Sequence, residues 1–223
     1  MTVARVIAID GTAASGKSST AAAVAGVLGI AHIDSGALYR ALTWVAVRAG
    51  VHDPAVILAL ADRLRVGLDP RDDTLRVHLD GVEDVESAIR SAEVNARVSE
   101  IAAMPALRDW VNGKLREAVR RVGSAVIDGR DIGTVVVPDA DLKVFLTATA
   151  AARAERRLRQ RDGSVDPLQL TAETAKLVER DRLDATRNTA PLRQADDAVV
   201  LDTTDLSFEQ QVARIVDLAA ARG

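Results

Sequence analysis

The stretch Gly11-Thr12-Ala13-Ala14-Ser15-Gly16-Lys17-Ser18 decides how this chain is read. Before it runs Val3-Ala4-Arg5-Val6-Ile7-Ala8-Ile9, an apolar segment rich in β-branched residues that predicts a buried strand. After it, Ser18 to Leu28 is rich in alanine and spaced as a helix. Strand, Gly-x-x-x-x-Gly-Lys-Ser, helix is the whole context that a phosphate-binding loop requires. Gly11 and Gly16 let successive backbone N–H groups turn toward an anion. The helix opening near Lys17 adds unpaired N–H groups and the positive end of its dipole. Lys17 supplies a point charge to the β- and γ-phosphates, and Ser18 places a hydroxyl for Mg²⁺. Thr12, Ala13, Ala14, Ser15 and Ser19 complete the expected triphosphate loop.

Composition narrows the classes. At 223 residues, 48% hydrophobic and 27% charged, the chain suits one globular α/β unit with insertions. It has no cysteine, which excludes disulfides, thiol catalysis and thiolate metal sites. Its three histidines, His32, His52 and His78, show no metal-ligand spacing. With no apolar run of membrane-spanning length and no signal-peptide pattern, a cytoplasmic protein without a membrane partner is expected. The net charge of −3 argues against a general polyanion binder. The chain nonetheless carries 25 Arg against four Lys, and Arg grips phosphate in two places at once.

Further strand-like runs at Ala31–Ile33, Ala125–Ile127, Leu142–Leu146 and Ala198–Leu201 alternate with helical patterns. That alternation predicts a five-stranded parallel sheet flanked by helices, with ligands beyond the carboxyl ends of its strands. Asp10, Asp34 and Asp128 each follow a strand at that edge. Leu64–Leu68 and Leu75–Val82 alternate apolar and polar residues around turn residues, which predicts a small antiparallel sheet inserted in the core. Helical periodicity returns from Val94 to Val122, interrupted near Pro105. Nine of the arginines fall between Arg153 and Arg193. Arg153, Arg156, Arg157 and Arg161 have one-face helical spacing, Asp162 to Pro167 breaks that helix, and a second runs from about Thr171 to Leu183. Two Arg-bearing helices joined by a loop suit a lid over phosphates. The expected organisation is a single unit over 1–223, with a core of approximately 1–35, 111–150 and 190–223, an insertion of approximately 36–110 and a lid of approximately 151–189.

A P-loop, several arginines and room for an acceptor are what a small-molecule kinase needs, because phosphoryl transfer is mostly positioning and charge neutralisation. The guanine-reading Asn-Lys-x-Asp is absent. A basic patch for nucleic acid would need interleaved aromatics, and aromatics make up only 2% of the chain. Kinases acting on UMP, AMP or shikimate, and a non-catalytic nucleotide-binding module, are the competing classes.

Asp34-Ser35-Gly36-Ala37-Leu38-Tyr39-Arg40 and Asp128-Gly129-Arg130-Asp131-Ile132-Gly133-Thr134-Val135-Val136-Val137 resemble the bacterial cytidylate kinases closely. So do Ile89-Arg90, the segment from Ser99 to Arg108, and the segment from Glu179 to Leu192. The resemblance runs essentially the whole length and implies γ-phosphoryl transfer from ATP to CMP or dCMP with Mg²⁺, by a monomer. Carried over by position, it implies that Ser99, Arg108 and Asp131 read the cytosine. Arg40, Arg130 and Arg187 would hold the CMP phosphate with Ser35 nearby, Arg180 and Asp184 the sugar hydroxyl, and Arg153 and Arg157 the ATP side. Lys17, Arg130, Arg157 and Arg187 would serve the transfer itself. Ser18 would ligate Mg²⁺, with Asp34 or Asp128 acting through water.

Among the other residues, one of Arg180 and Arg182 is expected to be structural, since both sit among Glu179, Asp181 and Asp184. Tyr39 is expected in packing, and Trp44 and Trp110 in the core or at an interface between regions. Two departures from the family pattern stand out. Ala14 occupies a glycine position in the loop, which predicts backbone strain, and Leu115 stands where the family has Gln.

Overall fold

The structure, a computed structural model, describes residues 5–71, 74–187 and 189–222. Val3 and Ala4 of the first predicted strand lie outside the described residues. The strand itself, β1, spans Val6–Gly11, followed by α1 over Lys17–Leu28. Then come β2 (Ala31–Asp34), α2 (Ser35–Ala49), α3 (Pro54–Arg63), β3 (Gly67–Arg71) and β4 (Thr74–His78). The middle of the chain forms α4 (Val85–Ala88), α5 (Ala92–Ile101), α6 (Pro105–Val122), β5 (Ala125–Gly129), a π-helical turn (Ile132–Val136) and β6 (Leu142–Thr147). It closes with α7 (Ala150–Asp162), α8 (Pro167–Thr186), β7 (Val199–Asp202) and α9 (Phe208–Ala220).

The described strands form one sheet of seven, in the order β3-β4-β2-β5-β1-β6-β7, and not five with a separate small sheet. β4 pairs parallel to β2 through His32↔Thr74 and Ile33↔Leu75, so the hairpin extends the central sheet. Only β3 runs antiparallel, against β4. Local alternation correctly marked a hairpin, but which strand it joins depends on contacts remote in sequence. The five core strands pair in parallel as expected. β5 is central and buried at every residue, which explains its unbroken Ala-Val-Ile run.

Helices cover both faces. Ile7, Ile9, Val24, Val144, Leu146 and Ile215 form one core, under α1 and α9. Leu38, Leu42, Ile57, Leu107, Val111 and Leu115 belong to the other, under α2, α3 and α6. Leu115 is thus fully buried packing, and Trp44 and Trp110 are half-buried against the same core. The interruption expected near Pro105 separates α5 from α6. The second lid helix begins at Pro167, ahead of the expected Thr171. Asp166 caps it, accepting from the N–H groups of Leu168 and Gln169, so the Asp-Pro pair that reads as a break is a helix start.

Candidate active site

The loop after β1 is shaped by two exceptional backbone positions. Gly16 has φ +83° and precedes α1 with no side-chain cap, leaving the helix N–H groups open toward the cleft. Ala14 has φ +56°, the left-handed region that β-carbons disfavour, as its place in the glycine pattern predicted. A β-carbon at Gly11 would lie 1.9 Å from the Leu146 carbonyl oxygen, so Gly11 serves the close approach of β1 to β6. Lys17 is buried and donates to Thr12 O at 2.5 Å. Burial, then the neighbouring Arg130, holds its ammonium well below the usual lysine pKa.

The three strand-end aspartates separate into different tasks. Asp10 turns away from the cleft and accepts from Ile132 N at 2.8 Å and Gly133 N at 2.7 Å, pinning the turn after β5. Burial pushes its carboxyl up to about 6. Asp128 accepts from Ser18 Oγ at 2.6 Å through Oδ2, while Oδ1 lies 2.9 Å from His32 Nε2. Asp34 caps α2 at Ala37 N and pairs with Arg90 at 3.4 Å. Burial, and then the charge of Asp128, raises the Asp34 pKa. These two carboxylates with Ser18 form a cluster of hard oxygen donors at the foot of α1.

A cleft of about 430 Å³ runs from this cluster between α2, α5, α7 and α8. Of the sequence-predicted residues, Ala14 through Ser19 line it, together with Asp34, Ser35, Arg40, Ser99 and Arg108. So do Asp128, Arg130, Asp131, Arg157, Arg180, Asp184 and Arg187. Gly11, Thr12, Ala13 and Arg153 do not line it.

The end remote from the loop is built around Asp131. Both its side chain and that of Arg108 are almost fully buried, and Arg108 Nη2 donates to Asp131 Oδ2. Arg108 also donates to Ala102 O at 2.9 Å and lies over the Tyr39 ring at 5.4 Å. Arg187 approaches the other Asp131 oxygen at 3.6 Å and Asp184 at 3.7 Å. Arg130 Nε donates to Asp184 Oδ2 at 2.8 Å. Arg180 Nε is buried without a protein partner, and burial, then Arg130, lowers its pKa to about 10. Burial and neighbouring arginines likewise lower Arg40 and Arg187. Nine cationic side chains line the cleft against four carboxylates, inverting the sign of the whole chain's −3. That surplus, concentrated in a concave and partly desolvated space, is a field suited to phosphates.

The lid arginines do not form one phosphate-facing row. Arg153 is buried against the phosphate-binding loop, and Arg156 donates to Thr203 and Thr204 carbonyls. Arg157 pairs with Glu173 at 3.2 Å, and Arg161 with Asp162. Of Arg180 and Arg182, the latter is the surface residue, paired with Glu179 at 2.7 Å. Tyr39 is packed in the core as expected, and it also lines the cleft, with its buried hydroxyl unpartnered. His32 had no assignment from sequence, yet it shares a strand face with Asp34 at period two, and that spacing was a usable signal. Arg156 from the predicted lid stripe and Arg90 from the family-like Ile89-Arg90 also line the cleft without having been given a role there, and Gln160, which no sequence pattern marked, joins them.

The family model described as cytidylate kinase matches residues 7–221. The chain belongs to the cytidylate kinase family. A cytidylate kinase of Streptomyces griseus subsp. griseus is 43% identical over 222 residues, covering 97% of this chain and 93% of its own. Another from Mycobacterium avium (strain 104) is 43% identical over 220 residues, covering 97% and 96%. An uncharacterized protein of Eubacterium ventriosum superposes with a TM-score of 0.52 at 11% identity over 96% of this chain and 97% of its own, a likeness of fold alone. Membership makes the protein a kinase, a phosphotransferase with ATP as co-substrate and small nucleotides as substrates. Among the described residues no single helix is long and apolar enough to cross a membrane.

Proposed function

We propose that the protein transfers the γ-phosphoryl of ATP to CMP or dCMP, releasing ADP with CDP or dCDP, in pyrimidine nucleotide metabolism. The carrying observation is that an uncapped phosphate-binding loop and the Arg108–Asp131–Arg187 cluster face one cleft. Within the loop from Gly11 to Ser19, Ala14 through Ser19 take the triphosphate and Gly11, Thr12 and Ala13 hold the loop in place, with Arg157 at the donor side and Arg153 acting through the loop backbone. Asp131 accepts from the exocyclic amine that uracil lacks, while Arg108 and Ser99 donate to the ring's acceptors. Arg40, Arg130, Arg187 and Ser35 take the CMP phosphate, and Arg180 and Asp184 the sugar.

Catalysis on this reading is alignment of two polyanions plus neutralisation by Lys17, Arg130, Arg157 and Arg187. Mg²⁺ fits the oxygen donors present: Ser18 would hold it, and the hydrogen bond to Ser18 favours Asp128 over Asp34 as the carboxylate behind it. When bound, the ion would neutralise phosphate charge. The protein acts as a cytoplasmic monomer without nucleic-acid or membrane partners.

A coupled ADP-release assay over CMP, dCMP, UMP, AMP and shikimate tests the acceptor. CMP and dCMP are expected to give the highest kcat/KM. A higher value for UMP, AMP or shikimate would overturn the reading.

A further inference from the structure

Ala13 belongs to the phosphate-binding loop but contacts the lid with every group it has. Its methyl is fully buried with Ala154 of α7 and Leu177 of α8. Its N–H donates to Asp181 Oδ1 at 2.8 Å, and its carbonyl accepts from Arg153 Nη1 at 2.6 Å. Arg153 Nη2 pairs with Asp181 Oδ2 at 2.7 Å, closing a ring through Ala13. The remaining donor, Arg153 Nε, is bound by Ala148 O at 3.0 Å. Arg153 therefore spends its guanidinium on protein acceptors at the root of the lid.

Asp181 stands on the same helix as the acceptor-side groups. Arg180 precedes it, Asp184 follows one turn later beside Arg130, and Arg187 ends the helix beside Asp131. At a rise of 1.5 Å per residue, about 9 Å of helix axis separates Asp181 from Arg187. One stiff segment thus holds the donor loop at one end and the acceptor groups at the other. The charges are arranged for this task as well. A lone carboxylate at Ala13 would repel a triphosphate, and the buried Arg153 partner cancels it where screening is weak.

We propose that Asp181 and Arg153 are positioning residues that couple the two substrate sites. Acceptor contacts made by Arg180, Asp184 and Arg187 order α8, and α8 through Asp181 orders the Ala13 peptide and the loop beyond it. The ordering cost is then met once for both ligands, so each tightens the other by the same factor. The inference rests on the reading of the cleft as an ATP and CMP site.

The test is titration calorimetry of the Mg²⁺ complex of a non-hydrolysable ATP analogue, with and without saturating CMP. CMP is expected to tighten the analogue about 10-fold in the unsubstituted protein. Asp181→Ala is expected to bring that ratio to about 1, and Asp181→Asn, which keeps an acceptor but loses the ion pair, to an intermediate value. A melting curve on each variant registers loss of mere structure. A lowered melting temperature with the full ratio retained would overturn the proposal, as would a ratio of one in the unsubstituted protein with both ligands bound. If Asp181→Ala does not fold, Asp181→Asn decides by the same criterion. Absence of any CMP heat in the unsubstituted protein would instead overturn the site reading, and this inference with it.

Discussion

Ser18 Oγ donates to Asp128 Oδ2 at 2.6 Å, across 110 residues of sequence, and so joins the first turn of α1 to the end of β5. His32 fixes the other oxygen of the same carboxylate at 2.9 Å, so Asp128 is held from both sides.

On the proposed role of this pair, Asp128→Asn weakens apparent Mg²⁺ affinity about 10- to 100-fold, as loss of an outer-shell carboxylate does elsewhere. Activity measured against Mg²⁺ concentration reads this, and chelation of the metal should abolish turnover. An unchanged Mg²⁺ dependence would move the role to Asp34.

Asp131 sits between Arg108 and Arg187, so its removal upsets the charge balance there and, on the proposed role, base reading as well. Asp131→Asn keeps the volume and avoids a void. Its kcat/KM for CMP should fall roughly 100-fold, about the value of one charged hydrogen bond, with ATP-analogue binding changed by less than about 3-fold. Equal losses at both ligands would remove the base-reading role.

The two loop positions respond in opposite directions to exchange between Gly and Ala. Gly11→Ala forces a β-carbon to 1.9 Å from Leu146 O and should unfold the protein or cost more than about 4 kcal/mol. Ala14→Gly releases the left-handed strain at φ +56°. After the entropy gained by the unfolded chain, a net stabilisation of about 0.5 kcal/mol is expected. Urea unfolding measures both, and marked destabilisation by Ala14→Gly would show the strain to be compensated.

Asp10 makes a pH-dependent prediction. Its folded pKa, about 6 against 3.8 in a free chain, is raised, so the folded state binds the proton more tightly. This contribution is fully present below about pH 3.8, is lost as pH rises through 6, and is flat above. Its size is at most about 3 kcal/mol. Asp10→Asn leaves one of the Ile132 and Gly133 N–H groups facing an amide donor, which destabilises the fold. Because the variant does not titrate, the stability gap from the unsubstituted protein should be larger at pH 4.5 than at pH 7.5. A gap that widens with pH would contradict the sign.

Much was legible before folding because its cause is local. The loop from Gly11 to Ser18 declared itself by spacing and by its flanking strand and helix, and Ala14 declared its own strain. The five core strands were visible as β-branched runs, since burial on both faces of a parallel sheet demands them. The family resemblance located Asp131, Arg108 and Arg187, which the fold brings together at one end of the cleft. What stayed hidden was pairing between distant parts. No local pattern says that β4 lies beside β2, because register and neighbour are settled by long-range packing. Nor could three equivalent strand-end aspartates be sorted in one dimension. Asp10 became scaffold because the turn after β5 presents two N–H groups to it, and Asp128 became part of the site because Ser18 and His32 converge on it. The arginines show the same division most sharply. Helical spacing put Arg153 and Arg157 on one stripe, yet Ala13 and Asp181 take the first inward and leave the second at the cleft. Residue chemistry and spacing determined which groups this protein owns; the meeting of chain segments more than a hundred residues apart decided which of them are free to meet a phosphate.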